Sequence, residues 1–263
     1  MCAFRPSWFH FSHIGVLSFA SRNSNEIAFK IASWNVAGLR ALMRNHPDAL
    51  ADLCSEHNLD VLCLQETKLQ ESHLDDPKLA IRGHLLEEQG YDAHYSCSTA
   101  KKGYSGTAVF VRRRDKGGGS RSTATTKAKQ TTVTSYFKAP MTAAAKTKDT
   151  ATAAPTPASS PIPDKELVPV KVSFKMGKDV HDAEGRLVIV DLPGFSFCNL
   201  YVPNSGQKLE RLSYRTDSWD KDLLAFVQAK QKDRPVMWLG DLNVAHTSLE
   251  VRTLRCTLCV LSF

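Results

Sequence analysis

The sequence Gly240-Asp241-Leu242-Asn243-Val244-Ala245-His246 presents a carboxylate, an amide and an imidazole directly after an apolar run, Pro235-Val236-Met237-Trp238-Leu239. Three other apolar runs end in the same manner. Residues 29–34 deliver Asn35, residues 60–65 deliver Glu66, and residues 195–200 deliver Tyr201 with Pro203-Asn204 behind it. Hard oxygen ligands without cysteine suit Mg²⁺, with Mn²⁺ as a substitute, better than zinc. Glu66 can hold such a cation. Asp241 can take a proton from a water, and Asn243 can orient that water or donate to a phosphoryl oxygen. A tyrosine hydroxyl can stabilise a pentacoordinate oxyanion. Together these groups fit metal-assisted hydrolysis of a phosphate ester. Each also has a structural reading: Asn35 as a turn cap, Glu66 as a partner for Lys68, Tyr201 as core, and Gly-Asp-x-Asn as an Asp/Asn turn. Four strand ends finishing alike favour the chemical reading.

The elements that must hold these residues alternate early and then become strand-rich. Residues 48–57 read as a helix with Leu50, Leu53 and Cys54 on one face. Residues 77–89 read as a second helix closed by Gly90. Residues 91–96 and 106–112 form a strand pair around Gly103-Tyr104-Ser105-Gly106. Three further strands are expected at 167–174, 186–192 and 195–202. Residues 209–232 form the longest helical stretch, with Leu212, Trp219, Leu223 and Phe226 spaced for one buried face. The pattern predicts an α/β fold in which two packed mixed sheets are flanked by helices, a four-layer α/β sandwich.

The chain of 263 residues is 42% hydrophobic, enough for one large domain. No run is long and apolar enough to span a membrane. Seven scattered cysteines suggest reduced thiols in an intracellular protein, and Cys256 and Cys259 are a weak zinc signal without a second pair. The formal charge of +7 is concentrated in residues 112–149, where ten Lys/Arg face two acids. The remainder is close to neutral, so a nucleic-acid partner would need a local patch, assisted by salt-sensitive attraction to the basic segment. Residues 117–163 hold almost no aliphatic side chains and read as a disordered insertion within the domain. Residues 1–27 read as a disordered leader or an organelle transit peptide, so the expected location is the nucleus or, through that leader, a mitochondrion or plastid.

Six motifs then fall in one order. They are Ser33-Trp34-Asn35-Val36-x-Gly38-Leu39-Arg40-Ala41, Leu64-Gln65-Glu66-Thr67-Lys68, Gly103-Tyr104-Ser105-Gly106, His181-Asp182-x-Glu184-Gly185-Arg186, Tyr201-Val202-Pro203-Asn204 and Gly240-Asp241-Leu242-Asn243-Val244-Ala245-His246. This set resembles the exonuclease III family of apurinic/apyrimidinic endonucleases, across residues 28–116 and 164–246. The resemblance implies a monomeric, Mg²⁺-dependent enzyme of base excision repair. It would cut double-stranded DNA 5′ to an abasic site, with possible 3′–5′ exonuclease or 3′-phosphodiesterase action. It also implies roles. Glu66 with Asn35 would bind the metal, with Asp241 and Asn243 completing its surroundings. Asp241 would activate water, Asn243 would steady the transition state, and Tyr201 and Asn204 would bind the scissile phosphate. Arg40 and Gln207 would touch DNA.

The sequence departs from that family at three places. Ala37 stands where relatives have Asp or Asn. Gln207 stands where some relatives place a DNA-penetrating arginine. Residues 247–263 do not match the family's closing part, whose Ser-Asp-His carries a phosphate-binding histidine. The expectation is therefore a weakly active or inactive chain. Two alternatives are a non-catalytic relative that docks on clamp and DNA, and another phosphoesterase of the wider superfamily. The insertion carries its own motif, Gln130-Thr131-Thr132-Val133-Thr134-Ser135-Tyr136-Phe137, which resembles the box that docks on the sliding clamp PCNA. One helical turn there would present Val133, Tyr136 and Phe137 to an apolar pocket, with Gln130 bonding beside it.

Overall fold

The computed structural model describes residues 14–20, 27–79, 81, 85–113 and 169–244. The whole insertion at 117–163 with its clamp-like motif at 130–137, Ala245, His246 and residues 247–263 lie outside them. Two sheets stack on each other. The first has the order β1-β2-β3-β5-β4, built from β1 (Ile14–Ala20), β2 (Ile27–Asn35), β3 (Val61–Gln65), β4 (Tyr91–Ser96) and β5 (Thr107–Arg112). The second has the order β6-β7-β8-β9, built from β6 (Lys171–Ser173), β7 (Leu187–Leu192), β8 (Phe195–Tyr201) and β9 (Val236–Asp241).

Alternation decides which way each strand faces. Phe29, Ile31, Val61, Cys63, Val109 and Val111 point from the first sheet to meet Val188, Val190, Leu192, Phe195, Phe197 and Leu239 of the second. The opposite face of the first sheet, with Ala32, Leu62, Leu64 and Phe110, is covered by α2 (Ala49–His57) through Leu50, Leu53 and Cys54. Leu39 of α1 (Leu39–Asn45) and Leu74 of α3 (Glu71–Leu74) join that cluster. The outer face of the second sheet packs on Trp219, Leu223 and Val227. Those residues belong to a π-helical stretch, Tyr214–Trp219, and to the helix that continues it, α5 (Asp220–Gln231); a shorter helix, α4 (Asp179–Asp182), precedes β7. The order helix, sheet, sheet, helix is the expected four-layer sandwich.

Four expectations change. Residues 14–20 of the presumed leader form β1, antiparallel to β2, with Ile14 and Val16 packed toward the helices and Leu17 toward the second sheet. The described part of 77–89 is turn and loop instead of helix, and Leu86 takes a left-handed φ of 62°, which stops any helix at that point. Leu212 is 41% exposed. The wide π-helical stretch lies between Leu212 and Trp219, so the seven-residue step no longer completes two turns and Leu212 faces outward. Val227 lies in the buried face, with Phe226 only partly covered. Finally β6 spans three residues, shorter than the run from 167 suggests.

Register brings the polar strand ends together. In the parallel pair β2–β3, Asn35 sits beside Gln65, one residue before Glu66. In the parallel pair β8–β9, Tyr201 sits beside Asp241. A buried amide joins the two sheets below them. Asn199 accepts from Gln65 Nε2 at 2.7 Å and donates to the carbonyls of Leu64 (3.0 Å) and Ala108 (2.9 Å).

Candidate active site

Asn35 stands between two carboxylates. Its Nδ2 donates to Glu66 Oε1 at 3.0 Å and to Asp241 Oδ2 at 2.7 Å. Its Oδ1 accepts from the Ala37 amide at 3.0 Å, which is the turn cap that the structural reading of this residue expects. Tyr201 OH donates to the same Glu66 Oε1 at 2.9 Å. Lys68 Nζ lies 3.1 Å from Glu66 Oε2 and 3.1 Å from the Ala37 carbonyl oxygen. Asp241 Oδ1 accepts from the Asn243 amide at 3.0 Å, and Asn243 Oδ1 accepts from Asn204 Nδ2 at 2.9 Å. Asn243 Nδ2 is held by the Val202 carbonyl at 2.8 Å. One hydrogen-bonded chain thus runs from Lys68 through Glu66, Asn35, Asp241 and Asn243 to Asn204.

The electrostatics follow from these contacts. Burial alone would raise the Glu66 pKa. The hydrogen bonds from Asn35, Tyr201 and Lys68, with the lysine's charge, outweigh burial and hold the carboxyl below its usual range. Tyr201 moves the other way. Burial comes first, the neighbouring Glu66 carboxylate second, and together they push its phenol far above the ordinary tyrosine value despite Arg186 nearby. Tyr201 is therefore a neutral donor, a group that can hydrogen-bond an anionic oxygen without repelling it. The Arg186 guanidinium lies 4.6 Å from the Tyr201 ring centre and donates to the Tyr201 carbonyl at 3.0 Å. It also donates to Tyr104 OH at 2.7 Å, while Glu184 bridges Arg186 and Arg211.

The backbone around the site is unusual. Ala37, Glu66, Lys68 and Asn243 all adopt left-handed conformations, with φ between 48° and 53°. Non-glycine residues avoid this region, and such residues collect where a site fixes its side chains. Gly240 explains one close approach. A Cβ there would come within 2.0 Å of the Leu200 carbonyl oxygen, so only glycine lets β9 lie flush against β8.

For a divalent cation the donors are the Glu66 and Asp241 carboxylates; Asn35 turns Nδ2 to both and Oδ1 to the Ala37 amide, so its oxygen would join them only after an amide flip. These are hard oxygen donors, and Glu66 is ionised and already attracts a cation in the form of the Lys68 ammonium. The residues fit Mg²⁺ or Mn²⁺. Among the described residues no group of three His, Cys, Asp or Glu side chains converges as a metal cage.

The sequence-predicted residues Asn35, Glu66, Tyr201, Asp241, Asn243 and Asn204 all meet in this network. Arg40 and Gln207 do not enter it among the described residues; both are exposed, Arg40 on α1 and Gln207 on the turn after Asn204.

Comparison with known proteins places the chain in a family. The profile of the Endonuclease/Exonuclease/phosphatase family matches residues 32–114 and 132–261, most of the chain. The chain belongs to this family. An exodeoxyribonuclease of Bacillus subtilis is 29% identical over 223 residues, covering 85% of this chain and 62% of that protein. A DNA-(apurinic or apyrimidinic site) endonuclease of Dictyostelium discoideum is 27% identical over 228 residues, covering 86% of this chain and 45% of that protein. The AP endonuclease LMAP of Leishmania major superposes with a TM-score of 0.55 at 25% identity, covering 89% of this chain and 62% of that one. The chain thus spans about half to three-fifths of the length of these relatives. The exonuclease III-type resemblance of the motifs agrees with these matches.

Within this member of the Endonuclease/Exonuclease/phosphatase family, several site residues have no role in the sequence reading. Lys68 closes a quoted motif and appears there otherwise as the structural partner of Glu66. Arg186, Glu184 and Tyr104 stand inside quoted motifs without a role. Their shared signal is a polar residue beside a glycine in a loop, which does not say that the two loops meet. Arg215 gives no local signal at all.

Proposed function

We propose that this chain carries the catalytic centre of a Mg²⁺-dependent nuclease of base excision repair that hydrolyses the DNA backbone 5′ to abasic sites. The observation that carries the reading is the link between Tyr201, Glu66, Asn35 and Asp241, which joins the two sheets at one point. The names of the Dictyostelium and Leishmania relatives support the abasic-site substrate. A cation bound at Glu66 and Asn35 would supply Lewis-acid charge to the phosphoryl oxygens. The protein groups do the rest. Tyr201 OH donates to a non-bridging oxygen. Asp241 accepts a proton from a water held with Asn243. The water oxygen bonds to phosphorus as the bond to the 3′-oxygen breaks, and that oxygen leaves to be protonated from solvent.

The test is incision of a labelled duplex containing one abasic analogue, with Mg²⁺, with Mn²⁺ and with EDTA. Undamaged duplex, recessed 3′ ends and inositol phosphates serve as competing substrates. Metal-dependent cleavage at the abasic site that is lost in Asp241→Asn supports the reading. Preferential release of inositol phosphate, or cleavage that survives Asp241→Asn, overturns it.

The reading extends to partner and place. Residues 130–137 would dock on PCNA while the domain acts on DNA as a monomer in the nucleus. A peptide of residues 127–140 should bind PCNA by calorimetry, and Tyr136→Ala with Phe137→Ala should abolish capture of the clamp. No heat of binding by the native peptide would remove this part of the proposal.

A further inference from the structure

Arg215 occupies an unexpected place. A guanidinium usually stays at the surface, yet this residue is 8% exposed and lies behind the site. Its Nη1 donates to the carbonyls of Pro203 (3.1 Å) and Asn243 (3.2 Å). Its Nη2 donates to the Leu242 carbonyl (3.0 Å). Its Nε lies 3.0 Å from Asp220 Oδ1, so the buried charge has a partner. The three carbonyls belong to two loops. Residues 202–206 follow β8 and carry Asn204; residues 242–244 follow β9 and carry Asn243, next to Asp241.

The helix is shaped to bring it there. Arg215, Trp219, Leu223 and Val227 are four residues apart and all buried. On a regular helix of 3.6 residues per turn this spacing drifts around the axis. Within the π-helical stretch Tyr214–Trp219, Arg215 and Trp219 are the buried residues, and from that inward face Arg215 reaches the loops. That stretch is anchored from outside the site. His181, buried in α4, contacts Tyr214 OH at 2.9 Å through Nδ1 and Asp222 Oδ2 at 3.0 Å through Nε2.

We propose that Arg215 is a positioning residue for phosphodiester hydrolysis, its guanidinium gathering the Pro203, Leu242 and Asn243 carbonyls so that Asn204 and Asn243 keep one geometry. No other side-chain type supplies a planar fork of five N–H donors with a charge that never leaves. The Asn204–Asn243 hydrogen bond at 2.9 Å is the contact this tie protects. The inference rests on the nuclease reading for its kinetic part and on the fold alone for its dynamic part.

The experiment uses the full chain with Arg215→Met and Arg215→Lys, each first shown to be folded by circular dichroism. Hydrogen–deuterium exchange is followed in residues 202–206 and 241–244, with residues 61–65 as the internal reference. Arg215→Met should speed exchange in both loops and leave the reference unchanged. On an abasic duplex its kcat should fall about 100-fold with KM changed little, as for other small misplacements of catalytic groups. Arg215→Lys, which keeps charge and stem without the fork, should recover about tenfold of that loss. If exchange in the two loops is unchanged in the folded variants, the proposal is overturned, whatever the wild type does to DNA. If the loops loosen but the wild type cuts no abasic site, the tie stands and only the kinetic part, which rests on the nuclease reading, falls. If neither variant folds, Arg215 is a fold-stabilising residue and its assignment as a positioning residue is overturned.

Discussion

Asn35 Nδ2 is shared between Glu66 Oε1 and Asp241 Oδ2, at 3.0 Å and 2.7 Å, so one amide nitrogen separates carboxylates from two different sheets. It screens their repulsion and fixes their spacing. Replacing it with Ala should lower kcat on abasic DNA about 100-fold, the scale of losing one preorganised donor, with little effect on the melting temperature. A variant with near-normal turnover would remove Asn35 from the catalytic set.

Glu66 predicts an acid-sensitive site. Its folded pKa lies below the ordinary glutamate value, which for an unfolded chain is about 4.3. The stability it contributes is therefore fully present above that value and is lost as pH falls through the depressed folded pKa. Thermal unfolding between pH 7 and pH 3 should show a weaker acid dependence in Glu66→Gln than in the wild type. Parallel curves for the two proteins would contradict the assignment.

Tyr201 should act as a neutral phenol across the working range. Burial and the Glu66 carboxylate keep its proton on, so no basic limb in the pH–rate profile should belong to it below about pH 10. Tyr201→Phe should lower kcat by roughly 10- to 1000-fold without moving the profile. A basic limb present in the wild type and absent from Tyr201→Phe would mean the phenolate is the active form.

Lys68 should compete with a divalent cation. Its ammonium lies 3.1 Å from Glu66 Oε2, where the carboxylate would otherwise face the metal. Lys68→Met should bind Mn²⁺ about fivefold more tightly by calorimetry, matching the ~1 kcal/mol upper range of half-exposed ion pairs. Equal or weaker binding would show that the lysine supports the metal site.

The sheet-to-sheet amide can be tested apart from catalysis. Asn199→Ala would leave the Leu64 and Ala108 carbonyls and Gln65 Nε2 without their buried partner. A loss of about 3 kcal/mol by urea unfolding is expected from several unsatisfied polar groups. A change below ~1 kcal/mol would mean water replaces the side chain.

Much of the site was legible because parallel strands place their C-terminal residues side by side. Asn35, Glu66, Tyr201 and Asp241 needed only the strand assignments and their common ends. The four-layer order was legible from alternation in 29–34 and the apolar runs after it. Other features depended on contacts that local pattern does not encode. Residues 77–89 have helical spacing, but the left-handed turn at Leu86 is set by tertiary packing. Ile14–Ala20 read as leader because composition alone does not show that this stretch pairs with β2 as an edge strand. Arg215 was invisible because its partners are backbone carbonyls, which every residue carries. The π-helical stretch that delivers it also misled the reading of Leu212.

Ala37, Glu66, Lys68 and Asn243 have a consequence for how this protein can change. Each left-handed non-glycine residue costs about 1–2 kcal/mol, and glycine would relieve most of it. Backbone conformation taken by itself would therefore favour glycine at all four positions. At Ala37 the exchange removes only a methyl group, so Ala37→Gly is a route to hardening the fold. At Glu66 and Asn243 the same exchange would relax the backbone but delete the side chains that bond Asn35, Tyr201, Lys68 and Asn204, so there the strain is the cost of holding the contacts of the proposed centre.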